Sequence, residues 1–238
     1  MDTGVRHSVW RIEDAAALDR LTQAFDAMPA LYIADGHHRS AAASRVAASR
    51  RAANPQHAGS ESYNFFLAVA FPHHQMRILP YNRAVTDLNG LTPQAFLSKI
   101  GESFALHAAH GEVAPAKPGE FGLYLSGRWY RLSIHPWLIP THDPVARLDV
   151  SLLADRLLAP LLGITDPRRD RRIDFVGGIR GPEELVRRVD AGVAAIAFAM
   201  YPLSVDALMR VSDAGAVLPP KSTWFEPKLR DGLLVHVF

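Results

Sequence analysis

The sequence predicts a mixed α/β protein, α+β in part, and three observations lead there. Near-continuous apolar runs of strand length stand at residues 63–71 and 194–200. Between such runs lie segments with apolar residues at helical spacing, such as Val150, Leu153, Leu157 and Leu161. Glycine, proline and helix-capping residues mark the boundaries between the two kinds of segment. Alternation of strands and helices around one sheet is the pattern of α/β folds. The Pro/Lys loop of residues 114–120 is the best seam, so two subdomains are expected, 1–113 and 114–238, with one continuous domain as the alternative.

In chain order, residues 6–12 alternate loosely and suggest an edge strand. Residues 14–27 carry Ala17, Leu18, Leu21 and Phe25 at helical spacing, and Pro29 ends that helix. Leu31, Tyr32, Ile33 and Ala34 read as a short buried strand, followed by a polar turn and an alanine-rich helix from about Ser40 to Ala53. The run at 63–71 reads as a strand covered on both faces, and 76–85 as its antiparallel neighbour. Thr92 as N-cap with Pro93 at the first helical position opens a helix that Gly101 closes. A strand is expected at 104–107, and a hairpin joins 121–125 to 128–134 around Ser126-Gly127. Asp149 is read as the cap of the next helix. Residues 172–176 form a strand, and Pro182 opens a helix that Gly192 ends. The run at 194–200 is a buried strand, Ser204 caps a helix, and 233–238 is a final strand.

Composition narrows the function. The chain has 238 residues, 48% hydrophobic and 21% charged, as in ordinary globular proteins. A formal net charge of +2 with interleaved acids argues against a nucleic-acid partner, despite a pI near 9.0. The absence of cysteine excludes disulfides, thiol catalysis and zinc–thiolate sites. There is no signal pattern and no apolar run long enough to span a membrane, so a cytoplasmic protein without a membrane partner is expected. Nothing in the sequence speaks to oligomeric state.

The turn Asp35-Gly36-His37-His38-Arg39 is the strongest candidate site. Strand, glycine turn and helix in succession present backbone N–H groups and a positive dipole end to an anion. Gly36 permits a positive φ or a close approach to a ligand. Arg39 can clamp a phosphate or carboxylate with its planar fork, and His38 and Ser40 can add donors. Asp35 can ligate Mg2+ or take a proton from a hydroxyl, or simply cap the helix. His37 and His38 are adjacent and point apart, so one mononuclear site cannot use both.

Further candidates lie downstream. Asn82 and Arg83 can reach a substrate carboxylate or form structural contacts. Arg180, in a glycine-rich segment before a helix, offers a second anion loop or a plain tight link. In LPPKSTWFEPK, Lys221 suits phosphate, Ser222 and Thr223 can donate to it, and Glu226 can act as base or metal ligand. A rigid packing loop is the alternative. Asp174 stands inside an apolar strand and needs a partner there.

The stretches ADGHHRSAA, MRILPYNRAV, DPVARLDVSLLADRLLAPLLGI, RIDFVGG and LPPKSTWFEPKLRDGLLVHVF resemble the bacterial family named domain of unknown function 1015. Members usually carry a further N-terminal half, so the resemblance implies the C-terminal portion. The DGHHR turn is also similar to the phosphate-binding motif of the ParB/sulfiredoxin-like fold, which includes free-serine kinases. That similarity implies a ParB-like subdomain over 1–113, with strand, turn and helix at the core of a mixed sheet. It further implies nucleotide phosphates at Gly36 and Arg39, with ATP or ADP and Mg2+ as cofactors. The expected activity is phosphoryl transfer to a small hydroxylated metabolite such as an amino acid. A non-catalytic nucleotide-binding regulatory module and a metal-dependent hydrolase are the alternatives.

Overall fold

The structure is a computed structural model that describes residues 6–228, 230 and 232–237. The chain divides into two compact units, Met1–Phe71 with Pro227–Phe238, and Pro72–Glu226.

In the first unit, α1 (Ala15–Asp26) forms where the spacing predicts, and the Asp14 carboxylate accepts from the Ala17 N–H at 2.8 Å. The second helix, α2 (His37–Ala53), starts three residues before the expected Ser40. Gly36 adopts φ +81° as its N-cap, and that left-handed cap lets the helix begin directly after the turn. No residue of α1 or α2 is fully buried.

The strands expected at 6–12, 31–34 and 63–71 do not form. A 3₁₀ turn, Ser62–Asn64, precedes a segment at 65–71 without regular secondary structure, in which Phe65 is 57% and Phe66 55% exposed. Apolar sequence makes a strand only where a second backbone pairs with it, and among the described residues nothing pairs with 66–71. Amides of 66–71 are therefore expected to exchange with D2O at close to unprotected rates. Protection matching that of the central sheet would show that they pair. Residues 233–237 likewise form no strand, and Phe238 lies outside the described residues.

The second unit holds a six-stranded sheet of order β3-β5-β4-β7-β2-β6, and every pairing in it is antiparallel. Pro80 splits the expected strand at 76–85 into β1 (Arg77–Leu79) and β2 (Tyr81–Val85). Then come α3 (Pro93–Ile100), β3 (Phe104–Ala108), β4 (Glu120–Leu125) and β5 (Arg128–Ile134). The Thr92 hydroxyl caps α3 by accepting from Ala95 N–H at 3.2 Å. Ser126 and Gly127 take φ +51° and +76°, the conformation a two-residue hairpin requires. The expected division at 113/114 falls within this sheet, because β3 on one side of it pairs with β5 on the other.

Next, α4 (Asp149–Leu153) passes through a π-helical turn (Ala154–Leu158) into α5 (Ala159–Leu162). Leu148 is the N-cap of α4, and the Asp149 carboxylate instead accepts from Gly119 N–H at 2.8 Å. The chain continues through β6 (Ile173–Gly177), α6 (Glu183–Asp190), β7 (Ile196–Met200) and α7 (Val205–Asp213). It closes with β8 (Trp224–Glu226), which pairs with β1 in a separate two-stranded ribbon. Asp174, on the edge strand β6, is exposed and ion-paired with Arg188, which meets its need for a partner.

Period-two alternation sorts the sheet into two faces. Phe121, Leu123, Leu125, Ile196 and Phe198 pack with Leu153, Leu157 and Leu162 of the α4–α5 layer. On the other face, the smaller Ala84, Ala197 and Ala199 pack with Leu185 of α6, and with Tyr124 and Trp129.

Candidate functional site

Candidate residues occur in both units, and each group is built by its own unit. In the first, the Asp35 carboxylate accepts from Gly36 N–H at 2.7 Å and pairs with Lys228 at 3.0 Å. The Lys228 ammonium, helped by the Gly36 N–H, holds the Asp35 carboxyl below its usual range. Past this anchored turn, α2 opens with His37, His38 and Arg39 in its first turn, all exposed. Ser40 N–H makes the first intrahelical bond, to Gly36 O at 2.9 Å, which leaves the amides of His37, His38 and Arg39 without intrahelical acceptors. Gly36, the N-cap, has no side chain and makes no cap hydrogen bond to them.

Arg39 folds back so that its guanidinium lies 3.6 Å from where a Cβ on Gly36 would stand. The guanidinium therefore sits over the glycine. The Ser40 hydroxyl donates to Gly36 O and His37 O, tightening the first turn. From Ser40 an open groove of about 340 Å³ runs along Ala43 and Ala47 to the exposed rings of Phe65 and Phe66.

The second unit brings other sequence candidates together around β2. Asn82 is buried, and its carboxamide oxygen accepts from Met200 N–H at 2.9 Å, tying β2 to the end of β7. Arg83 is 4% exposed, donates to Tyr81 O at 2.6 Å and Lys221 O at 3.2 Å, and stacks 4.5 Å over the Phe175 ring. Burial pushes its guanidinium down to about 9, and it remains charged at neutral pH. Lys221, in a left-handed conformation at φ +56°, places its ammonium 5.5 Å from the Tyr81 ring centroid.

Three of the remaining candidates have structural partners. The Ser222 hydroxyl donates to Pro219 O at 2.6 Å. Glu226, on β8, accepts the Trp224 indole N–H at 2.7 Å. Thr223 is half-buried just before β8. Arg180 is exposed and lies 3.9 Å from Glu184. Among the described residues, no three of His, Cys, Asp or Glu converge as a metal-ligating group.

Sequence reasoning missed a cleft of about 160 Å³ in the second unit. Tyr81, Asp149, Tyr201, Ser204 and Arg210 contribute to its walls. The available signal was Tyr201-Pro202 between a buried strand and the Ser204-capped helix, a place where a strand end meets a helix start.

The sequence profile of the family described as "Protein of unknown function (DUF1015)" matches residues 1–151. This chain belongs to the DUF1015 family. The family-like stretches RIDFVGG and LPPKSTWFEPKLRDGLLVHVF of this DUF1015 chain lie beyond the matched residues. Comparison with curated proteins finds no match. Solved structures similar to this chain include a free serine kinase in complex with AMP, at 12% identity and TM-score 0.38. A variant free serine kinase in complex with ADP aligns at 16% identity and TM-score 0.36. Each alignment covers 63% of this chain and 54% of the kinase chain, so the DUF1015 chain spans about half the length of those kinases. Among the described residues, no helix is long and apolar enough to cross a membrane.

Proposed function

We propose that this chain binds a nucleotide at the start of α2 and transfers its terminal phosphoryl group to a small hydroxylated metabolite. The observation that carries the binding half is the first turn of α2: a glycine N-cap, amides at the helix start without intrahelical acceptors, and the Arg39 guanidinium folded over Gly36. Together they match the charge and donor geometry of a phosphate group. The groove that leads from Ser40 to Phe65 and Phe66 offers small side chains and aromatic faces against which a nucleoside can lie. That groove favours a nucleotide over bare phosphate.

In the transfer step, the acceptor oxygen attacks phosphorus while the bridging P–O bond to the nucleotide breaks, and the hydroxyl proton leaves to the exposed His37 ring. Asp35, held low by Lys228, is a poor proton acceptor and a good fixed negative charge. Each of its oxygens keeps a lone pair beyond the Gly36 and Lys228 contacts, so it fits as the single protein ligand that a phosphate-bound Mg2+ takes. Mg2+ would supply charge neutralisation on the phosphates. The same anchoring of Asp35 favours a second reading, a nucleotide-binding module without turnover.

Calorimetric titration with ATP, ADP, CTP, GTP and phosphate, with and without Mg2+, tests the binding. Arg39→Ala is expected to weaken the tightest of these by ~1.5–3 kcal/mol, the loss of a charged hydrogen bond, or roughly 10- to 150-fold. Unchanged affinity in a folded variant sinks the role of the turn. Release of ADP on adding hydroxylated acceptors separates the kinase from the module.

A further inference from the structure

We propose that the cleft between β7, α7 and the start of α4 is a binding site for a compact organic anion, a carboxylate or phosphate monoester on a ring-sized apolar body. The site is built from residues of the second unit alone and does not depend on the turn at Gly36.

The walls explain the apolar part. Tyr81 and Tyr201 with Pro118, Pro144 and Pro202 line the cleft with five rigid rings, which lose little side-chain entropy when a ligand is held between them. Its volume of about 160 Å³ resembles the ~150 Å³ cavities that take up one benzene ring.

The charges explain the anionic part. Several arginines of this unit carry a carboxylate partner: Arg131 with Glu120, Arg172 with Asp170, Arg187 and Arg188 with Glu184. Arg147 and Arg210, both exposed and both lining the cleft, have no ion pair among the described residues. Arg83, buried with backbone carbonyls as its acceptors, donates to Tyr81 O from behind the wall, and the Lys221 ammonium stands over the Tyr81 ring. Asp149 is the single carboxylate among the lining residues. Asp206 is exposed and does not line the cleft. The helix end adds donors. The Ser204 hydroxyl satisfies Ala207 N–H at 3.1 Å, while the Val205 and Asp206 amides have no acceptor among the described residues. The cleft thus combines a net positive wall, open helix-start amides and an apolar floor.

The test compares one ring with three head groups. Benzoate, phenyl phosphate and benzyl alcohol are titrated into the full chain while the amide resonances of Tyr201, Val205 and Asp206 are followed by NMR. At least one anion is expected to shift these amides saturably and to bind tenfold or more tightly than the alcohol. Arg210→Ala is expected to weaken that anion about tenfold, and Arg210→Lys to retain part of the affinity. Arg210 is exposed, so both variants keep the fold. The proposal is overturned if neither anion exceeds benzyl alcohol, if the shifts fall elsewhere, or if Arg210→Ala leaves the affinity unchanged.

Discussion

Gly122→Ala is expected to destabilise the second unit by ~3 kcal/mol or more, at the top of the range for overpacking a core. Gly122 lies on β4, opposite Ala199 of β7 and Arg131 of β5. An added Cβ would collide with the Val113 carbonyl oxygen and stand 3.1 Å from both the Ala199 Cβ and the Trp129 ring. The backbone carbonyl cannot swing away as a side-chain end would, and strands on both sides of β4 prevent the sheet from bending there. The φ angle is not positive, so the cost is one of space and not of conformation. Urea unfolding followed by tryptophan fluorescence measures it. Gly111→Ala is the control, because a Cβ there meets nothing within 4 Å and the change is expected to stay within about 0.5 kcal/mol. A Gly122→Ala midpoint close to that control would show that the 113 segment yields easily.

Local signals were legible in the sequence and non-local ones were not. Asp14, Thr92 and Ser204 each accept from an amide three residues on, so α1, α3 and α7 start where the sequence places them. The Ser126-Gly127 hairpin is equally local. Residues 31–34 and 65–71 have the composition of strands, but pairing is a property of two segments, and among the described residues the second segment is missing. The reverse holds for β8, inside a proline-rich stretch that reads as a loop and becomes a strand because β1 pairs with it. The turn at Gly36 was legible because donors, glycine and arginine fall within six residues. The cleft was not, since its walls come from positions between Tyr81 and Ser222, each of which reads alone as a cap, a loop or a strand end.

Asp149 shows what that difference costs, and it carries the second large effect. As a helix cap, its carboxylate would be ionised and stabilising. In the structure it is half-buried in the cleft wall, and burial pushes its carboxyl up to about 6 against the opposing Gly119 N–H. Between 3.8, the unperturbed value, and about 6, the folded state holds more protons than the unfolded state. The contribution of this group to stability is therefore greatest below the lower value and is lost as pH rises through the upper one. The gap of 6 minus 3.8 corresponds to about 3 kcal/mol lost at neutral pH. An asparagine side chain at this position would be isosteric, would still accept from Gly119, and would carry no charge to desolvate. Asp149→Asn is accordingly expected to raise the stability of the second unit by ~1–3 kcal/mol at pH 7.5, up to the size of that loss. The gain should shrink as pH falls toward 4, where the native carboxyl is also neutral. Urea midpoints of both proteins at pH 4.5 and 7.5 decide the matter. A variant less stable at pH 7.5, or a gain independent of pH, would mean that the ionised carboxylate is compensated in place, and Arg147, which lines the same cleft, is the cation to suspect.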